Sequence, residues 1–168
     1  GFDMHEKTIG IIGTGKIAKV LIRLLSGFGM RILAYDLYPD KEFAAAYHVE
    51  YTSLDDLYRS SDIISLHCPL TDETRYIIND EAIAKMKQGV MLINTGRGKL
   101  IHTHALINGL KSKKVGYAGL DVYEEESGYF YTRLQNPTND QVAAKICALE
   151  GGTAAMLTSS GQAASFYS

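Results

Sequence analysis

From Thr8 to Leu120 the chain alternates between two kinds of segment. Thr8 to Ile12, Arg31 to Tyr35, Val49 to Tyr51, Ile63 to Leu66, Val90 to Ile93 and Tyr117 to Leu120 are short apolar runs. Runs of that length without a polar alternation are the pattern of strands buried on both faces. Between them apolar residues recur at helical spacing. Ile17, Ala18, Val20, Leu21, Leu24 and Leu25 predict one helix, ending at Ser26-Gly27. Phe43 to Tyr47 predicts a second, and Ser53 to Leu57 a third, with Asp56 placed for a capping box. Asn79 caps a fourth that turns Ala82, Ile83 and Met86 inward, and Thr103 caps a fifth that carries Ala105, Leu106 and Leu110. Strands and helices in strict alternation predict an α/β fold, a parallel sheet with right-handed crossovers and helices on both faces.

The rhythm stops near Gly128. Asn136-Pro137-Thr138 is a turn signal, Asn139 to Glu150 an amphipathic helix candidate closed by Gly151-Gly152, and Thr158 to Gly161 a second polar turn. The expected organisation is one domain over residues 1–130 and a short tail over 131–168 that is not a domain of its own.

Composition narrows the function classes. Of 168 residues 46% are hydrophobic and 21% charged, with a net charge of −2, so no basic face suggests nucleic acid. No apolar run approaches a membrane span and no signal-peptide pattern opens the chain. Cys68 and Cys147 are isolated thiols, which favours a reducing, cytoplasmic setting. No His/Cys spacing fits a metal; His102 and His104 lack further ligands, so no metal is expected.

The chemistry sits at the strand ends. Gly13-x-Gly15-x-x-Ala18 lies between a predicted strand and helix. The first glycine allows the tight turn, the second lets a pyrophosphate approach the backbone, and the small third residue lets helix and strand pack. The amides that start the helix face an anion. Asp36 ends the next strand, where a carboxylate can take both hydroxyls of an adenosine ribose and repel a 2′-phosphate. The pair predicts NAD as cofactor, in preference to NADP. Arg97, in Asn94-Thr95-Gly96-Arg97-Gly98, follows a later strand at the edge where open parallel sheets bind ligands. Its planar fork suits a carboxylate.

Four stretches in order resemble the cofactor domain of the D-2-hydroxyacid dehydrogenases, most closely those of the D-lactate dehydrogenase type. They are Thr8 to Ala18, Ser65 to Thr74 (SLHCPLTDET), Val90 to Leu106 (VMLINTGRGKLIHTHAL) and Ala118 to Phe130 (AGLDVYEEESGYF). The resemblance implies a Rossmann-like doubly wound sheet and reversible hydride transfer between NADH and a small 2-keto acid such as pyruvate, with D-lactate as the product. It implies that Arg97 binds the substrate carboxylate and that Glu126 pairs with a catalytic histidine. It places Lys16 and Ile17 at the pyrophosphate turn and Asp36 on the ribose. It sets Cys68, Pro69, Thr74, Thr95, Gly96 and Asp121 on the nicotinamide side. The family's proton-donating histidine follows the segment begun by Gly128 to Phe130, and none of His5, His48, His67, His102 and His104 fills its place. The segments that build a substrate domain are likewise not found, so binding without turnover is expected. A homodimer is compatible with these features.

From Tyr131 the resemblance changes. Tyr131-x-Arg133-Leu134-Gln135-Asn136-Pro137-Thr138, ALEGG at Ala148 to Gly152 and TSSGQAA at Thr158 to Ala164 resemble an early part of the pyridoxal-phosphate enzymes of Cys/Met metabolism. That family's Schiff-base lysine lies further on, and Lys145 is not its counterpart. The chain therefore reads as a join near Gly128 to Tyr131. Two alternatives remain beside an incomplete dehydrogenase: an NAD-dependent regulatory module without turnover, and a pyridoxal-phosphate fusion fragment.

Overall fold

A parallel sheet of six strands in the order β3-β2-β1-β4-β5-β6 forms the centre of the computed structural model, which describes residues 3–122. Glu126, the helix expected over 139–150 and the remainder of the tail lie outside the described residues. The strands are β1 (Thr8–Ile12), β2 (Arg31–Tyr35), β3 (Val49–Tyr51), β4 (Ile63–Leu66), β5 (Val90–Asn94) and β6 (Val115–Leu120). Every pairing among them is parallel. All residues of β1 and β4, the two central strands, are buried, which is why they read as unbroken apolar runs.

The helices are α1 (Lys16–Leu25), α2 (Lys41–Tyr47), α3 (Leu54–Ser60), α4 (Asp80–Lys85) and α5 (Thr103–Lys111). They sort onto the two faces. Ala18, Ile22 and Leu25 of α1 and Phe43 of α2 pack with Ile9, Ile11, Ile32 and Ala34 in one core. Leu57 of α3, Ile83 of α4 and Leu106 of α5 pack with Leu33, Ile64, Leu66 and Leu92 in the other. The strand order reverses between β1 and β4. That is the switch point of a doubly wound sheet, where the carboxyl ends of neighbouring strands diverge and leave a crevice.

Several local expectations shift by a residue or a face. Among the apolar residues expected inside α1, Ile17, Val20 and Leu24 are 74%, 52% and 67% exposed, and Ile22 is fully buried instead. Apolar residues cover a broad arc of this helix, opposite Lys16, Lys19 and Arg23, and only part of that arc, at Ala18, Ile22 and Leu25, is packed. The cap of α5 is His102, whose ring Nδ1 accepts the Ala105 amide at 3.4 Å, and Thr103 is the first helical residue. Ser53 caps α3 by accepting the Asp56 amide at 3.2 Å, but its hydroxyl also donates to the Asp56 carboxylate at 2.7 Å. A capping box would instead turn that carboxylate back to the Ser53 amide. Asn79 caps α4 through the Ala82 amide as expected, with Met86 buried just beyond the helix.

Candidate functional site

The turn after β1 has two glycines with different structural roles. Gly13 has φ +90°, a conformation that L side chains rarely adopt, and its amide donates to the Tyr35 carbonyl at 2.8 Å. A Cβ at Gly13 would stand 2.5 Å from the Cys68 amide nitrogen and 2.7 Å from its Cα. The turn therefore lies directly against the end of β4, across the switch point. Gly15 has an extended backbone, and a Cβ there would meet nothing within 4 Å. It lies at the start of the ten-residue helix α1, whose first amides have no partner within the helix. Ala18, the third small residue, is 1% exposed and packs α1 onto the sheet. Lys16 and Ile17 occupy the first turn of α1, both exposed.

Asp36, just past β2, faces this turn. Its Oδ2 accepts the Thr14 amide at 2.6 Å and the Thr14 hydroxyl at 2.9 Å, and its Oδ1 accepts the Tyr38 amide at 2.8 Å. Burial raises the Asp36 carboxyl, but the amides of Thr14 and Tyr38, the Thr14 hydroxyl and the weaker pull of the Leu37 amide outweigh it. The group is held below the usual carboxylate range and is charged at neutral pH. The sequence-predicted pair is thus brought together, with the acid beside the anion cradle.

Cys68 and Pro69 continue β4 at the same crevice. Burial pushes the Cys68 thiol up to about 11, its own amide opposes that shift, and the Asp36 charge adds to it, so it stays protonated at neutral pH. Thr74 lies further along this loop and donates its hydroxyl to the Pro69 carbonyl at 2.6 Å, which closes the loop upon itself. His67 is hydrogen-bonded to the buried Ser65 hydroxyl at 2.8 Å, and burial lowers its pKa, keeping the ring neutral.

The ends of β5 and β6 form the other half. Asn94, 1% exposed, accepts the Gly96 amide on Oδ1 at 3.0 Å and donates from Nδ2 to the Arg97 carbonyl at 2.8 Å. One buried amide therefore holds the middle and the far end of the Thr95-Gly96-Arg97 loop. The Asn94 carbonyl also accepts the Asp121 amide at 3.0 Å, which ties the end of β6 to it. Thr95 and Asp121 line one cleft with Met91, Ile93 and Tyr117. The Arg97 guanidinium donates to the Gly96 carbonyl at 3.2 Å and is otherwise presented outward among the described residues. Two contributors were not singled out from sequence. Asn94 was read only as part of its motif, and Thr14 only as the residue between two glycines. No His/Cys/Asp/Glu group among the described residues could hold a metal ion.

The family model for the D-isomer specific 2-hydroxyacid dehydrogenase NAD binding domain matches residues 1–146. The chain belongs to this family. The match covers every described element and runs sixteen residues past Phe130. D-lactate dehydrogenase of Escherichia coli is 50% identical over 136 residues, 81% of this chain and 41% of that protein. An aromatic 2-oxoacid reductase of Clostridium sporogenes is 47% identical over 137 residues, again 81% of this chain and 41% of the relative. The apo structure of the Escherichia coli enzyme superposes with a TM-score of 0.72 at 51% identity, over 77% of this chain and 41% of that one. The NAD-complexed form of a Lactobacillus delbrueckii D-isomer specific 2-hydroxyacid dehydrogenase gives 0.71 at 35% identity, over 77% and 39%. The chain thus spans about two fifths of the length of the relatives it matches. Its cofactor is NAD, and the open Gly15 cradle beside a charged Asp36 fits that group.

Proposed function

We propose that this domain binds NAD(H) for hydride transfer between the cofactor and a small 2-keto acid, pyruvate being the simplest candidate and D-lactate its product. The observation that carries the reading is the placement of the Asp36 carboxylate against the Gly13-Thr14-Gly15 turn at the switch point. Gly13 shapes the turn, and the amides following Gly15, at Lys16 and Ile17, receive the pyrophosphate. Asp36 takes the ribose. Cys68, Pro69, Thr74, Thr95, Gly96 and Asp121 border the nicotinamide side. NADH, when bound there, would supply the hydride. Arg97 orients the substrate carboxylate through its fork, and Asn94 fixes the loop that carries Arg97. Glu126 supports the imidazolium of a histidine proton donor in the complete enzyme.

All five histidines, at positions 5, 48, 67, 102 and 104, precede the Gly128 to Phe130 segment, after which the family resemblance puts the donor. NADH fluorescence titration beside an NADH-oxidation assay with pyruvate tests the proposal. Saturable binding with no measurable turnover by this chain is expected. Turnover at the rate of an intact dehydrogenase contradicts the assignment of the proton donor, and absence of saturable binding contradicts the whole reading.

Val20, Leu24 and Phe28 form an exposed apolar row along α1 and the turn after it, which supports association of two copies. Leu24→Lys is then expected to shift the sedimenting species from dimer to monomer, and an unaltered chain that sediments as a monomer removes the proposal. The motifs from Tyr131 onward support an origin of the tail in a pyridoxal-phosphate enzyme, placed in the cytoplasm with the rest. Sequencing the natural transcript across residues 128–131 checks it, since a dehydrogenase continuation there would refute the join. No helix among the described residues is long and apolar enough to cross a membrane.

A further inference from the structure

The hydrogen bonds around Asp36 have a fixed direction. Thr14 donates its hydroxyl hydrogen to Asp36 Oδ2 at 2.9 Å. The Tyr51 hydroxyl stands 2.8 Å from the same Thr14 oxygen and accepts the Asp40 amide at 3.1 Å. Thr14 has one hydroxyl hydrogen, already given to Asp36, so Tyr51 donates to Thr14. The chain runs from the Asp40 amide through Tyr51 and Thr14 to Asp36, and both ends are fixed by groups that cannot reverse.

A carboxylate offers about four acceptor positions. At Asp36 three are taken by full hydrogen bonds among the described residues, two on Oδ2 by the Thr14 amide and hydroxyl and one on Oδ1 by the Tyr38 amide, while the Leu37 amide adds only a weaker pull. A ribose with two neighbouring hydroxyls brings two donors, and the one open position on Oδ1 serves only one of them. If the Thr14 hydroxyl lets go, one position opens on each oxygen, which matches the two hydroxyls. Thr14 is 5% exposed, so its released hydrogen needs a protein acceptor. Tyr51 is the hydroxyl within reach. It has a lone pair to accept with, and the residue is only half-buried.

We propose that Thr14 is a latch on Asp36, that Tyr51 receives the Thr14 hydroxyl when the ribose diol docks, and that Tyr51 is therefore a positioning residue for recognition of the second ribose hydroxyl. The proposal rests on the reading of Asp36 as the ribose acid. It separates the cost of opening the latch from the gain of binding the diol. A ligand with a single ribose hydroxyl docks with the latch closed, and a full diol docks with it open.

The test compares NADH with its 2′-deoxyadenosine analogue on the whole chain, by fluorescence titration. The quantity read is the Kd of the analogue divided by that of NADH. Tyr51→Phe removes the receiving acceptor and lowers this ratio by about threefold to tenfold, the worth of one hydrogen bond, with the Kd of the analogue little changed. Thr14→Val removes the latch, so the ratio rises, and adding Tyr51→Phe to Thr14→Val then has no further effect on it. Opposite shifts in the two single variants are not produced by a general loosening of the loop. Equal weakening of both ligands in Tyr51→Phe, or an unchanged ratio in both single variants, overturns the latch. Should Tyr51→Phe fail to fold, Thr14→Val decides alone through the direction of its shift. Asp36→Asn separates the two layers of the argument. If it collapses the ratio while Tyr51→Phe does not move it, the ribose reading stands and the latch falls. If Asp36→Asn leaves both affinities unchanged, the ribose reading falls with it.

Discussion

Asp36→Arg is expected to weaken NADH binding by a hundredfold or more and to turn the cofactor preference toward NADPH. Two charge-assisted hydrogen bonds to the ribose disappear, each worth about 1.5–3 kcal/mol, and each 1.4 kcal/mol is roughly a factor of ten. The new guanidinium has the fork that suits a 2′-phosphate, which Asp36 repels. The same change also strips Thr14 of the acceptor for its amide and hydroxyl. A melting curve and a circular dichroism spectrum must therefore accompany the titration, to show that the loss concerns the ligand and not the sheet. NADH bound by Asp36→Arg as tightly as by the unaltered chain would remove Asp36 from the site.

The second large effect is a contrast between two glycines two residues apart. Gly13→Ala places a methyl group 2.5 Å from a backbone nitrogen of Cys68, at φ +90°. Neither the strained dihedral nor the backbone contact can be relieved by turning a side chain. Left-handed backbone costs about 1–2 kcal/mol in an L-residue, and overpacking adds about 1–3 kcal/mol. The expected result is a fall in Tm on the order of 10 °C together with loss of NADH binding. Gly15→Ala meets nothing within 4 Å and keeps an extended backbone any residue adopts. Its Tm should stay within about 2 °C of the unaltered chain, since such surface changes are worth under about 0.5 kcal/mol. NADH binding should nevertheless weaken at least tenfold, because the methyl group occupies the path of the pyrophosphate. Equal effects of the two substitutions on Tm, or an unaffected NADH affinity in Gly15→Ala, would show that the cradle is not where the ligand approaches.

Much of this architecture was legible in the chain itself, for a physical reason. A parallel sheet covered on both faces asks for uninterrupted apolar strands, and β1, β2, β3 and β4 begin and end where those runs do. The turn at Gly13 and the acid at Asp36 are legible because each is a local chemical requirement: a positive φ, a close approach, a charge at a strand end. What depends on tertiary partners was not. The apolar arc of α1 is wider than its packed face, and only the packing shows that Ile22 faces the core while Ile17 and Leu24 face out. His102 is an unusual cap beside a threonine, a common cap residue, so local preference pointed one residue too late. The Thr14–Tyr51 contact joins residues 37 positions apart and carries no local signature. Asn94 acts through a buried side chain at a strand end, where sequence shows an amide but not the two loop groups it binds.

The most direct test of the central claim is a backbone amide NMR titration of the chain with NADH. The account predicts saturable shifts centred on Thr14, Gly15, Lys16 and Ile17 and on Leu37 and Tyr38, the amides that line the cradle and flank its acid. Saturable shifts confined to surfaces away from the carboxyl ends of β1 and β2, or no shifts at saturating cofactor, would contradict it.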